Sequence, residues 1–230
     1  MRRGMGIWVF LAVAAVIVVA AVYVETQRRD ALARVASDLG FSFTRGQHAL
    51  PGHLDRAVFY LFTQGQPLIL NRMDGERAGY QVSIFGFGYD AGQGEEGSRA
   101  LPTADDGQIE RRLQTVVWLS RPGQTLPDLD LSPTRQPLRR LDPSLGLRPV
   151  SLDGRADFRD RYLLSGRDAA ALRHVFSPAV IDAWVADPGW FVEGRGDQWL
   201  VYRLEERVAP EDIPALLDRA IGLIDRLAQR

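Results

Sequence analysis

The segment that decides the fold is Trp190-Phe-Val-Glu-Gly-Arg-Gly-Asp-Gln-Trp-Leu-Val-Tyr-Arg-Leu204. Two apolar runs, Trp190 to Glu193 and Trp199 to Leu204, flank the tetrapeptide Gly194-Arg-Gly-Asp197. Aromatic and β-branched residues favour extended backbone, and a glycine-rich interruption is typical of a tight turn. The segment therefore predicts a β-hairpin. Its Arg-Gly-Asp tripeptide matches an integrin-recognition sequence, but we interpret it as the turn itself.

Helices are predicted on both sides of this hairpin. One helix begins at Asp168 and runs through Phe176, and Ser177-Pro178 caps and begins another that runs through Val185. Pro210 opens a C-terminal helix. The apolar residues of that helix fall on one face, which predicts packing against a sheet; they are Ile213, Leu216, Leu217, Ala220, Ile224 and Leu227.

The remaining predicted elements are mostly strands. Phe41–Thr44 and Leu113–Leu119 are strand candidates, and Leu68–Leu70 and Tyr80–Tyr89 form a second hairpin around Asp74-Gly75. Phe158 to Leu164 completes the set. Strands joined by hairpins, with helices between them, predict an antiparallel α+β domain. A helix precedes a hairpin in each half of the chain, so two similar halves are a further prediction.

Two segments differ in composition from the rest. Residues 91–111 are rich in Gly, Glu, Asp and Ser and predict a mobile surface loop. Residues 122–149 carry six prolines and predict a connector between the halves, whose leucines are expected to pack. The predicted organisation is a leader and anchor (1–24), a helical stalk (25–40) and an α+β domain (41–230).

The N-terminal run Ile7 to Val24 contains no charged residue. Eighteen residues of helix reach roughly 27 Å, about the thickness of the hydrocarbon core of a bilayer. Arginines lie before and after the run, as at the ends of a single-pass anchor. A signal peptide cleaved at Val19-Ala20-Ala21 is the alternative, but Val22-Tyr23-Val24 continues the apolar run where such a signal turns polar. We predict an uncleaved anchor that contacts the bilayer through residues 7–24.

The charges around the apolar run Ile7 to Val24 favour export of the soluble domain across the membrane, although the arginines after the run oppose this orientation. Arg2 and Arg3 lie in a short leader that is hard to translocate, which places the soluble domain on the non-cytoplasmic side of the cell membrane. After the run, apolar residues at helical spacing continue to Gly40, which predicts the stalk. The net charge of −1 predicts no nucleic-acid partner.

Composition excludes several kinds of chemistry. The 230 residues include no cysteine, and all 28 basic residues are arginine, since no lysine occurs. Thiolate nucleophiles, iron–sulfur clusters, Schiff bases and P-loop lysines are therefore excluded. No cofactor and no metal site are predicted.

The candidate chemical groups are few. His48 and His53 are five residues apart near a Pro-Gly turn, and together with His174 they do not match a zinc motif. Asp128 and Asp130 would point to one face of a strand, as paired acid/base carboxylates or ligands of a divalent ion require, but we interpret them as a solvated edge. Glu193 beside aromatic residues is a lone carboxylate. The tryptophans are interpreted as core residues. Gly86, Gly88, Gly92 and Gly94 are interpreted as glycines of a strand and its exit, because their spacing is not that of a phosphate-binding loop.

Five segments together resemble a bacterial family of small, singly anchored membrane proteins of uncharacterised function. They are Leu39-Gly-Phe-Ser-Phe43, Val82 to Tyr89, Gln114-Thr-Val-Val-Trp118, Leu126-Pro-Asp-Leu-Asp-Leu-Ser-Pro133 and Phe158-Arg-Asp-Arg-Tyr-Leu-Leu-Ser-Gly166. The resemblance implies a fold and a membrane location, and it implies no catalytic residue.

The first hypothesis for function is a membrane-tethered, non-enzymatic module that binds a protein or an envelope component. It rests on the anchor, the stalk and the lack of a complete catalytic set. The alternative is a carboxylate-dependent hydrolase, which would use Asp128 and Asp130 with a divalent metal ion. A structural role in membrane organisation differs from the first hypothesis mainly in its partners.

Overall fold

The computed structural model describes residues 2–52, 54, 59–63, 67–90, 111–135 and 146–228; within these ranges, the side chains of residues 2–14, 89, 90, 111 and 112 are outside the description. The predicted loop 91–111 therefore lies outside the described residues, except for its last residue. So do His53 and the middle of the predicted connector.

The helices are α1 (Arg2–Asp38), α2 (Ala156–Arg159), α3 (Ala169–Val175), α4 (Pro178–Ala186) and α5 (Ile213–Ala228). The strands are β1 (Ser42–His48), β2 (Leu68–Arg77), β3 (Tyr80–Asp90), β4 (Arg111–Ser120), β5 (Leu129–Pro133), β6 (Arg148–Pro149), β7 (Tyr162–Gly166), β8 (Phe191–Arg195) and β9 (Gln198–Tyr202). Two 3₁₀ helices, Tyr60–Thr63 and Pro210–Asp212, complete the described elements.

Within the described residues, all nine strands join one sheet in the order β1-β2-β3-β4-β9-β8-β5-β7-β6. Every ladder is antiparallel. Together with the flanking helices, this confirms the predicted antiparallel α+β class. The first four strands form a meander whereas the last five do not, so the strand order lends no support to two similar halves.

The sheet carries apolar side chains on both faces because alternate residues of a strand point to opposite sides. In β4, Val117 and Leu119 join the larger core, which α1, α3, α4 and α5 cover. Val116 and Trp118 join a smaller core on the other face, against the 3₁₀ helix Tyr60–Thr63. Both faces of the central strands are therefore buried.

The hairpin and capping predictions of the second half are confirmed. β8 and β9 pair from Phe191↔Tyr202 to Arg195↔Gln198, and Gly196 turns with φ +60°. Asp168 caps α3 by accepting the N–H groups of Ala170 and Ala171 at 3.0 and 2.9 Å. These features are local, so the residues at the turn and caps suffice to specify them.

The turn predicted at Asp74-Gly75 is wrong. β2 continues to Arg77, and the turn lies at Ala78 and Gly79, which both adopt positive φ. Gly75 is instead needed within the strand because the ring of Phe41 lies over it; an added Cβ would come 2.6 Å from Phe41 Cγ.

The strand predicted from Phe158 begins too early. Residues Ala156–Arg159 form a helical turn, and β7 starts at Tyr162. The turn brings the Phe158 ring onto the rings of Tyr162 and Phe176, with centroids 5.4 and 5.8 Å apart. An extended Phe158 would not make both contacts.

The solvated edge predicted for Asp128 and Asp130 is wrong for Asp130, whereas Asp128 lies just before β5 and is partly exposed. β5 lies within the predicted connector, and it pairs with β8 on one side and β7 on the other. Leu129 and Leu131 are fully buried in the larger core, and Asp130 is 3% exposed. The segment is thus an internal strand whose polar residues face the other side of the sheet.

Helix α1 joins the domain through its C-terminal part. Leu32 and Ala36 belong to the larger core, while side chains between Val16 and Val24 are 61–68% exposed. Among the residues that the structure describes, no helix is long and apolar enough to cross a membrane.

Candidate functional site

An open groove of about 1040 Å³ lies where three distant segments meet. The loop Gly123–Pro127 after β4 forms one wall, α3 with its N-cap residue Asp168 and with Ser177 forms a second, and the end of α5 forms a third. Among its apolar lining residues, Val175 is partly exposed, whereas Leu126 and Leu227 are buried. A volume of this size is sufficient for a peptide segment or a small amphipathic molecule.

Close packing between α3 and the end of β7 sets the position of α3. Gly166, the last residue of β7, has no side chain, which lets Leu172 of α3 lie directly over it. A Cβ at this glycine would also come 2.6 Å from the backbone oxygen of Asp128. The tight fit holds the wall of the groove against the sheet.

Asp168, His174 and Ser177 all line the groove, a combination of residue types that serves nucleophilic catalysis elsewhere. Asp168 instead caps α3, and the Ser177 Oγ accepts the Val180 N–H at 3.5 Å as the cap of α4. Within the described residues, no hydrogen bond joins His174 to either of them. The carboxylate and the hydroxyl are engaged as helix caps, and the exposed imidazole is free to meet a ligand.

Two buried carboxylates lie on the sheet face opposite the helices. Asp130 of β5 is directly opposite Glu193 of β8, and on its other side it faces Ser165 of β7. Directly opposite Cβ atoms in an antiparallel pair are about 4.5–5.5 Å apart. The spacing in the sequence pairs Asp130 with Asp128, but the sheet register brings Asp130 to Glu193.

Glu193 holds the 3₁₀ helix against the sheet. Its carboxylate accepts the N–H groups of Tyr60 and Leu61 at 2.6 and 3.2 Å, and the hydroxyl of Tyr202 at 2.9 Å. The side chain is fully buried. A carboxylate at the N-terminal end of a helix satisfies N–H groups that have no partner inside the helix. Glu193 therefore stabilises the fold.

Asp128 organises the turn that carries the Arg-Gly-Asp tripeptide. Its Oδ1 accepts the Gly196 N–H at 3.2 Å, and its Oδ2 lies 3.1 Å from Arg167 Nε. The turn is a hairpin turn, as predicted. Within the described residues, no group of three or more His, Asp or Glu side chains is placed to hold a metal ion.

Asp187 joins α4 to β9 and α5. Its carboxylate pairs with Arg203 and Arg219, both at 2.7 Å, and accepts the indole N–H of Trp190 at 2.9 Å. Burial raises the pKa of Asp187, but the Trp190 hydrogen bond and the two guanidinium charges outweigh it. The pKa of Asp187 is therefore lowered.

Tyr80 forms a similar junction between β3 and α5. Its hydroxyl donates to Asp225 at 2.6 Å, and the guanidinium of Arg121 lies 3.9 Å from its ring centroid. Burial, followed by the hydrogen bond to Asp225, raises the pKa of Tyr80 to about 12. Both junctions fix α5, whose end forms a wall of the groove.

The other residues singled out from the sequence have structural surroundings. His48 lies in β1 with its Nε2 3.0 Å from the Arg45 carbonyl oxygen. The described tryptophan side chains are at most 5% exposed, which confirms them as core residues; they are Trp118, Trp184, Trp190 and Trp199. The groove has no signal in the sequence, because its walls come from three segments that share no motif.

No protein-family model matches the chain, and no curated protein matches it. One similar solved structure is the crystal structure of the mycobacterial trehalose monomycolate transport factor A, TtfA. The identity is 15% and the TM-score 0.53, over 88% of this chain and 91% of that chain. The likeness shows a shared fold over nearly the full length of both chains.

Proposed function

We propose that this protein is a membrane-tethered, non-enzymatic module that binds a protein or an envelope component. The tether is the run of residues 7–24, the domain lies on the non-cytoplasmic side, and the groove beside α3 and α5 is the binding surface. Membership of the singly anchored bacterial family named above is part of the proposal.

The observation that carries the proposal is the exposed apolar surface of α1. Seven side chains between Val16 and Val24 are 61–68% exposed, whereas Leu163 is the one other large apolar side chain above half exposure among the described residues. Contiguous exposed apolar surface of this kind is typical of a membrane or protein contact. Because α1 then enters the core at Leu32 and Ala36, the same helix joins the tether to the domain.

A binding role is favoured over catalysis by the state of the polar groups. In the groove, Asp168 and Ser177 are engaged as helix caps, and the buried Glu193 is used to hold the 3₁₀ helix. The similar fold of a transport factor supports a role in moving or presenting an envelope component. A hydrolase has no such support.

The tether is tested by charging the exposed apolar surface. Val18→Asp with Val19→Asp should release the full chain from washed membranes, because each charge costs several kcal/mol in the bilayer core. Leu163→Asp, an equally drastic change at an exposed residue of the domain, should leave the chain in the membrane pellet. Unchanged pelleting of the double variant, or a mature chain that starts after Ala21, would contradict the tether.

The groove is tested by photo-crosslinking in cells. A photoreactive residue at Ala171 or Val175, inside the groove, should crosslink one discrete protein or lipid species. The same residue at the exposed Glu76 of β2 is the control and should not. Equal products from groove and control positions would contradict the assignment. A reporter fused after Arg230 separately tests the side of the membrane.

A further inference from the structure

The connection between β9 and α5, residues 203–212, is attached to α1 directly after the exposed apolar surface of that helix. Glu25, the residue that follows Val24, is paired with Arg207 at 2.7 Å. Arg28 donates from its Nη2 to the Val208 carbonyl oxygen at 2.6 Å. The helix is therefore joined to the connection 203–212 within four residues of the end of the apolar run.

The far end of the same connection also lies beside α1. The 3₁₀ helix Pro210–Asp212 contacts α1, and its residue Glu211 is close enough to Arg28 to act on its charge. Burial, followed by the positive charge of Arg207, lowers the pKa of Arg28, while the negative charges of Glu25 and Glu211 oppose this shift. The connection 203–212 is thus held against α1 at two places.

Helix geometry gives the depth of this contact in a bilayer. Four residues of helix separate Val24 from Arg28, which is a rise of roughly 6 Å. The headgroup layer adds about 5–8 Å to each side of the hydrocarbon core. Under the proposed function, residues 7–24 occupy the hydrocarbon core, so that Arg28 and the connection bound to it lie at the depth of the headgroups.

The direction of α1 along the sheet follows from two contacts with β2. Arg28 lines the same crevice as Asn71. Further along both elements, Phe41 donates its N–H to the Ala36 carbonyl oxygen at 2.7 Å and lies over Gly75. Arg28 to Asp38 is roughly 15 Å of helix, and Asn71 to Gly75 is roughly 13 Å of strand. The two elements run side by side, so β2 leads away from the apolar run as it continues past Gly75.

The side chains of the connection suit headgroups and not acyl chains. Five of its residues are charged and exposed; they are Glu205, Glu206, Arg207, Glu211 and Asp212. Charged groups are costly in hydrocarbon, whereas the headgroup layer is polar. Four of the five are acids, and the arginine is paired with Glu25, so like charge opposes contact with anionic lipids.

We infer that the connection 203–212 is a lipid-contacting surface, which lies against the headgroups of the bilayer that holds residues 7–24. The inference rests on the proposed tether. It adds which surface of the domain meets the bilayer.

The test uses single-cysteine variants of the full chain, which has no cysteine of its own. Glu211→Cys in the connection and Glu76→Cys on β2, beyond Gly75, make the same exchange at an exposed glutamate. Each variant is labelled with a fluorescent dye and reconstituted into phosphatidylcholine vesicles with a nitroxide quencher on the lipid headgroups. The dye at position 211 should lose most of its fluorescence relative to vesicles without quencher, and the dye at position 76 should keep it.

Sedimentation of the vesicles separates failure of the inference from failure of the tether. If the chain sediments with the vesicles and the dyes at positions 211 and 76 are quenched equally, the inference is overturned and the tether stands. If the chain stays in the supernatant, the tether is overturned and the inference with it. Glu206→Cys, at a second exposed glutamate of the connection, gives the same comparison if Glu211→Cys does not fold.

Discussion

Replacing Glu193 with glutamine should strongly destabilise the domain, although the two side chains have the same shape. The carboxylate accepts hydrogen bonds from Tyr60, Leu61 and Tyr202 and is fully buried. A hydrogen bond to a charged group contributes about 1.5–3 kcal/mol, against about 0.5–1.5 for a neutral pair. Each retained bond is therefore weakened by about 1 kcal/mol.

The amide adds a second penalty. Whichever way it is oriented, its NH₂ group faces at least one N–H or O–H donor, which leaves buried groups unsatisfied at about 1–3 kcal/mol. The expected loss for Glu193→Gln is about 3–5 kcal/mol in the free energy of unfolding, measured by urea titration with tryptophan fluorescence. Tyr202→Phe removes one of these donors and should cost less in the Glu193→Gln background than alone.

The exposed Glu76 provides the matched control. Glu76→Gln makes the same chemical change on the surface of β2 and should alter the free energy of unfolding by less than about 0.5 kcal/mol. If Glu193→Gln costs less than about 1 kcal/mol, the carboxylate does not hold the 3₁₀ helix as described, and the reasoning from its hydrogen bonds is refuted.

Three further changes test the packing and the two junctions. Gly166→Ala should cost about 1–3 kcal/mol in urea unfolding because its Cβ would overlap Leu172, whereas Gly222→Ala, in open space on α5, should stabilise by about 0.5–1 kcal/mol. Because the pKa of Asp187 is lower in the folded protein than in the unfolded chain, its ion pairs stabilise the fold above the pKa of the unfolded chain, and this stability is lost as the pH falls through the folded-state pKa. Asp187→Asn should therefore reduce the fall of Tm at acid pH. An unchanged fall of Tm would contradict the assignment. The pKa of Tyr80 is raised to about 12, so the contacts of its neutral hydroxyl stabilise the fold below about pH 10, and this stability is lost as the pH rises toward 12. Tyr80→Phe should reduce the loss of stability at alkaline pH. Phenolate absorbance that is complete well below pH 12 would contradict the raised pKa.

Local signals in the sequence predicted local structure well. The Gly196 turn and the caps at Asp168 and Ser177 were correctly predicted because neighbouring residues provide all the groups they need. β5 was missed because its polar residues, Asp130 and Ser132, point inward on a sheet buried on both faces. Alternation of polar and apolar residues usually indicates a strand with one face exposed to solvent. The polar face of β5 is buried only because β7 and β8 lie on either side of it.

Contacts between side chains from distant segments were harder to predict, because they too depend on which strands become neighbours. Nothing near Gln114 in the sequence indicates that Glu205 will fix its amide, and nothing near Asp130 indicates that Glu193 will lie opposite. Such pairs depend on strand register between distant segments, which one sequence does not encode in a local pattern.

The attachment of α1 has a consequence for any partner of the groove. Glu25 binds Arg207, and Arg28 binds the Val208 carbonyl oxygen, so the helix is fixed to the domain just after its exposed apolar surface. β4 starts beside Arg28, and its far end at Ser120 leads into the groove. Six residues of strand from Thr115 to Ser120 span roughly 20 Å. Under the proposed function, the groove therefore lies about this far along the sheet from the residues that attach α1 to the domain, and a partner can occupy it without contacting the exposed apolar surface of α1.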